Sequence, residues 1–253
     1  MTFKILLKKE LIEIFKTSKI LVIPLIFLFF GFLSPLITKY MPEIFASVME
    51  EMPFALPEMT WIDSFDQFFK NMDQIIFIAI ILVFMGIVSD EKSKGTDTLV
   101  LIKNVKKSDF VLSKITASSI LIIASYFISF LACLLYTTVL FESINYSLAF
   151  QASLLNLIGL LFLLIVTISM STIFNSPIIS GAMTVAFYFT FSIISLPIKF
   201  LSKYSPMSLG GYSANILRGV ETFSNSISTI IFTIVLSAIL VITSIYIYSN
   251  REA

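Results

Sequence analysis

No charged residue occurs between Glu142 and Lys199. A membrane-spanning helix needs about 20 predominantly apolar residues, so this stretch alone accommodates two. Asn175-Ser176-Pro177 supplies a tight turn between them, since Asn favours turn geometry and Pro resists continuation of the helix. The same search along all 253 residues finds six uncharged runs: Ile20 to Thr38, Gln74 to Ser89, Ile115 to Phe141, Ala152 to Phe174, Ile178 to Ile198 and Ile227 to Asn250. The second is the shortest, and its helix is expected to start inside the preceding loop, near Phe68. With 57% hydrophobic and only 13% charged residues, the chain has too little polar surface to cover an aqueous globule. The expected fold is an all-α membrane protein, a single transmembrane domain over residues 1–253 built as a six-transmembrane-helix bundle.

Composition narrows the function. The 17 Lys+Arg and 16 Asp+Glu leave a net charge of +1, which lacks the basic field that nucleic-acid binding requires. His is absent and Cys133 is the single cysteine, which removes His-based metal sites, His-dependent nucleophile pairs, CxxC redox motifs and a disulfide framework. No catalytic or metal-ligating constellation is expected, and a membrane enzyme ranks last among the readings. None of the six runs carries a charge, so a proton-coupled relay near the midplane has no residues to build on. Energy for active transport would then come from a partner.

In residues 1–19 apolar and charged positions interleave, unlike the blocks of a signal peptide. At 100° per residue Phe3, Leu7, Leu11, Ile14 and Phe15 share one side, and Lys9, Glu13, Lys16 and Lys19 the other, as in an amphipathic helix lying in the membrane interface. Placing both termini in the cytosol puts twelve of the 17 Lys and Arg on that side, as the positive-inside bias demands. Residues 39–73 then form a net acidic extracellular loop, broken by Pro42, Pro53 and Pro57, whose Trp61, Phe65, Phe68 and Phe69 suit an interfacial position.

Small and hydroxylated residues recur at helical spacing within the spans. Ser118, Ser125, Ser129, Cys133 and Tyr136 share a face of the third, and Gly181, Thr184, Tyr188, Ser192 and Ser195 a face of the fifth. Such stripes most often pack helices closely. The functional alternative is a weakly polar translocation path through Ser125, Ser129, Thr184, Tyr188 and Ser192.

The most informative stretch is the inner loop 90–114. Gly95 can end one helix and Thr96 can cap the next. Leu99, Ile102 and Val105 then recur at helical spacing among charges, describing a short amphipathic cytoplasmic helix suited to docking a soluble partner. Here the chain resembles the type-2 export permeases of ATP-binding-cassette (ABC) transporters. Glu91, Lys94, Gly95, Thr96, Leu101 and Lys114 match that family's loop at the right spacing, with Lys107 where Arg is usual; Asn104, Lys106 and Ser113 replace its Pro, Ser and Gly.

The resemblance implies that loop 90–114 carries a coupling helix, with Glu91, Lys94, Gly95, Thr96, Leu101, Ile102 and Lys107 coupling to ATPase subunits. It implies two such ABC ATPases, which bind ATP and Mg, and a second permease subunit, identical or homologous, in the plasma membrane. It also implies short re-entrant helices in the outer segment 199–226, where Pro206, Gly210, Gly211 and Gly219 would break the chain. Lys94-Gly95-Thr96 has the wrong order for a phosphate-binding Gly-Lys-Ser/Thr loop, so ATP hydrolysis is expected in a separate polypeptide and no cofactor in this one. The function implied is export of a hydrophobic or amphipathic peptide, antibiotic or lipid. The competing reading is a non-transporting membrane partner, such as an immunity or assembly protein.

Overall fold

The structure, a computed structural model, describes residues 2–48, 58–96 and 105–250. Among them no strand occurs, and the elements are helices α1 (Thr2–Lys16), α2 (Lys19–Val48), α3 (Trp61–Asn71), α4 (Phe77–Phe84), α5 (Ser89–Ser93), α6 (Lys107–Leu140), α7 (Tyr146–Ile173), α8 (Pro177–Ser195), α9 (Lys199–Tyr204), α10 (Leu209–Leu217) and α11 (Phe223–Ser249). Six helical stretches are long and apolar enough to cross a membrane: Lys19–Ile44, Trp61–Ser93, Lys107–Leu140, Tyr146–Ile173, Pro177–Ser195 and Phe223–Ser249. This is the all-α six-helix bundle that the uncharged runs demand.

Helix α7 is the centre of the bundle. Its Leu155, Leu164, Val166 and Ile168 are fully buried, whereas α8 and α11 expose Ile179, Phe189, Ile193, Ile234 and Ile242. Lipid tails are as apolar as these side chains, so an outward Ile or Phe costs nothing in a bilayer. Asn175-Ser176 makes the turn before α8, and Pro177 takes its first position, where a missing amide hydrogen is no loss. Helices α2 and α6 pack so closely that a Cβ on Gly31 would lie 2.5 Å from the Ser129 carbonyl oxygen. The Ser129 hydroxyl donates to the Phe27 carbonyl across the same contact. Both chain ends lie at one end of the bundle, since the start of α6 is bonded to α1 and to the last turn of α11.

The structure corrects several expectations. Segment 39–73 is helical at both its ends, because α2 runs through Pro35 and Pro42 to Val48 and α3 begins at Trp61. Thr60 and Asp63 form the capping box that starts α3, a signal at the residue level that outweighs the segment's loop-like charge. The second span therefore includes α3 and is longer than the uncharged run, and it carries Asp73. Phe65, Phe68 and Phe69 are buried in the core, with Phe65 against Phe130 and Phe68 against Tyr126, and do not face outward as an interfacial belt would. On α1 the inward stripe is Leu6, Glu10 and Ile14, while Phe15 points out. Within 199–226, Gly219 ends α10 in a left-handed conformation (φ 68°), but Gly210 and Gly211 lie inside that helix.

Candidate functional site

At the end of the bundle holding both termini, charged side chains from three elements converge. Lys114, in the first turns of α6, has no exposed surface. Its ammonium donates to both Glu10 carboxylate oxygens at 3.1 Å and to Glu91 Oε1 at 2.7 Å, and lies 5.0 Å from the centre of the Phe110 ring. Lys9 closes the cluster from the rim, 3.0 Å from Glu10, 3.1 Å from Glu13 and 3.5 Å from Glu91. The carboxylates of Glu10, Glu13 and Glu91 approach within 4.8 Å of one another, a spacing that could hold a metal ion. Lys9 and Lys114 between them pair with all three carboxylates and leave one net negative charge, and the ion-pair network joins α1, α5 and α6.

The network shows in the titration of its outer members. Partial burial alone would raise the Glu13 pKa, but the positive charges of Lys114, Lys9 and Lys19 outweigh it and hold the carboxyl below its ordinary value. Burial would likewise lower Lys9, and the carboxylates of Glu10, Glu91 and Glu13 instead hold it above its ordinary range.

The loop that follows is tied down on both sides. Lys92 Nζ donates to the Thr172 and Phe174 carbonyls at the end of α7. Ser171 Oγ accepts from the Val88 and Ser89 amides, at 3.1 and 3.0 Å, where the second span turns before α5. Gly95, at φ 65°, stops the helical turn after α5, and Thr96 Oγ1 donates back to the Glu91 carbonyl at 3.2 Å. Lys94 is exposed. On the far side of the loop, Lys107 Nζ donates to the Tyr248 and Ser249 carbonyls, both at 3.2 Å, and sits 5.2 Å over the Tyr248 ring. Leu101 and Ile102, the expected apolar anchors, lie outside the described residues. A cavity of about 330 Å³ opens beside the network, lined by Glu13, Lys19, Asp90, Glu91, Lys94 and Thr96 among others.

The candidate path residues separate. Ser125 is buried and donates to the Leu121 carbonyl one turn back, and Ser129 belongs to the α2–α6 contact. Thr184 is buried and donates to the Ser180 carbonyl, while Ser192 is half-buried on the C-terminal half of α8. Tyr188 lines a cavity, packed edge-on against Phe77 with ring centres 4.7 Å apart. That cavity also holds two polar groups, Asp73 and Asn156. Asp73 sits just before the uncharged run and inside the helix once that helix starts near Phe68, whereas Asn156 is uncharged and a search for charge passes over it. Glu10 escaped notice in the sequence because its buried partner, Lys114, is 104 residues away, although its place midway between Leu6 and Ile14 on one helix face was a usable signal.

No family model matches the chain. Over 232 residues, 87% of this chain and 90% of the other, it is 26% identical to a Bacillus subtilis (strain 168) protein described as uncharacterized transmembrane protein YxlG. Six helices long and apolar enough to cross a membrane, together with a transmembrane relative, decide the class. The chain is a multi-pass transmembrane protein.

Proposed function

We propose that the chain is the membrane-spanning permease subunit of an ATP-driven exporter in the plasma membrane, with both termini in the cytosol. It pairs with a second permease subunit, identical or homologous, and two separate ATPases dock on its inner face and bind the ATP and Mg. The observation that carries the reading is that the loop between α5 and α6 is anchored on both sides to the rest of the bundle. Glu91 and Lys92 hold its start to α6, α1 and α7. Lys107 holds its end to α11. A displacement of residues 97–104 by a docked ATPase is thereby passed to four other elements at once, which is what coupling hydrolysis to helix movement requires. The resemblance of Glu91, Lys94, Gly95, Thr96, Leu101 and Lys114 to the permease loop supports the same assignment. The cargo is a hydrophobic or amphipathic molecule, such as a peptide, antibiotic or lipid.

The test is affinity purification of the full chain from its native membrane, with and without Leu101→Asp. Burial of one Leu contributes about 1.5–3 kcal/mol, enough to decide a small docking element. The wild type should bring down an ATPase with a phosphate-binding loop and stimulate its hydrolysis, and Leu101→Asp should insert normally but lose that partner. A mutant that retains the ATPase and full stimulation would reduce the loop to a connector.

A further inference from the structure

The second span breaks α-helical regularity between α3 and α4. Residues Met72–Ile76 form a π-helical turn, closed by a bond from the Phe77 amide to the Met72 carbonyl. Such a turn inserts an extra residue into the helix and is frequent at functional sites. Here it presents Asp73, an ionisable side chain within a membrane-spanning stretch, to a cavity of about 90 Å³. Charges in such places are costly and persist where they bind something.

The cavity is built for a small cation with hydrogens to donate. Asn156 Nδ2 donates to Asp73 Oδ1 at 2.9 Å, which fixes the carboxylate in the cavity wall beside Gly210. Asn156 is 2% exposed, and its Oδ1 is buried with no hydrogen-bond partner among the described residues. A buried acceptor left in that state costs about 1–3 kcal/mol. Phe77 and Tyr188 supply aromatic faces, which attract a cation electrostatically. Gly159 opens the opposite wall, for a Cβ there would meet nothing within 4 Å. A primary ammonium has three donors and no acceptor. It finds in this cavity the Asp73 carboxylate, held by Asn156, and an aromatic wall. A trimethylated headgroup carries the same charge but has no N–H to donate, so it cannot make these hydrogen bonds.

We propose that Asp73 and Asn156 form an intramembrane site for the primary ammonium group of an amphiphile. This deepens the exporter reading and rests on it only for the fate of the bound molecule, whose class becomes cationic and amine-bearing. Binding itself is a property of this chain alone.

The experiment measures equilibrium binding of radiolabelled dodecylammonium to the full-length chain in phosphatidylcholine nanodiscs, with empty nanodiscs subtracted and dodecanol and dodecyltrimethylammonium as comparators. Wild type should bind dodecylammonium at least tenfold more tightly than either comparator. Asp73→Asn should lose at least tenfold, and Asp66→Asn, on the same span but outside this cavity, should lose nothing. Gly159→Leu, which fills the space without touching the carboxylate, should lose binding to a similar extent and keeps the proposal testable if Asp73→Asn fails to fold. Adding phosphatidylethanolamine to the nanodisc separates the two sources of amine: displacement of the probe assigns the site to a bilayer lipid, and persistence of the probe assigns it to a transported amphiphile. Equal affinity of wild type and Asp73→Asn, or of Gly159→Leu and wild type, would overturn the site. Neither result bears on whether an ATPase co-purifies, so the two proposals fail separately.

Discussion

Lys114 carries the largest single-residue consequence. Removing one partner from a buried ion pair leaves the others uncompensated and costs about 3–5 kcal/mol. Lys114→Met should therefore lower the thermal midpoint of the detergent-solubilised protein sharply, and Lys114→Met combined with Glu10→Gln should recover part of the loss; a single mutant as stable as wild type would show that the network contributes nothing. Glu13 gives a pH signature. Its folded pKa lies below the ordinary 4.5, so its stabilisation is present above that value and is lost as pH falls through the folded pKa. The difference in midpoint between wild type and Glu13→Gln should be constant near neutrality and close progressively below pH 4.5, and a difference unchanged in acid would contradict the assignment. At this scale the sequence was partly legible. Glu91 and Lys114 stand out through their motif. Glu10 is part of the same structure but has no motif, because what makes it important is a contact across more than a hundred residues.

Among the elements, helix existence was legible and helix ends were not. The runs from Ile115 and Ala152 correspond to α6 and α7 because apolar length alone specifies a span. The start of the second span was misplaced because α3 mixes Asp63, Asp66 and Lys70 with a buried stripe of Phe65, Phe68 and Phe69. Charge per segment hides such a stripe, whereas spacing at three and four residues reveals it. Aromatic residues likewise serve an interface and a core equally well, so composition could not choose between them. Packing of α2 on α6 yields a prediction of its own. Gly31→Ala should destabilise by about 1–3 kcal/mol through overpacking, since the new methyl meets backbone and not a flexible side-chain end; a neutral result in thermal unfolding would mean that the two helices can separate freely. Orientation is tested by cysteine scanning on a Cys133→Ser background in intact cells. Cysteines at Ser93 and Ser249 should be protected from an impermeant thiol reagent and one at Glu58 should react, whereas labelling at Ser93 from outside would invert the arrangement.

For the whole molecule, the account is that the bundle converts a push on one anchored loop into movement of several spans, with energy from outside the chain. The absence of charge from the six runs had supported an external energy source. Asp73 removes part of that support, because a carboxylate inside the second span is also what an ion-coupled carrier would use. The loop anchored by Glu91, Lys92 and Lys107 carries the weight instead, and the two mechanisms differ in what stops transport. The decisive measurement is transport of an amine-bearing amphiphile into inside-out proteoliposomes containing the chain and its co-purified ATPase, under two separate perturbations. Collapsing the proton and sodium gradients should leave uptake unchanged, and a hydrolysis-dead ATPase should stop it. Uptake that disappears with the gradients and survives the dead ATPase would contradict the account and make Asp73 a coupling-ion site.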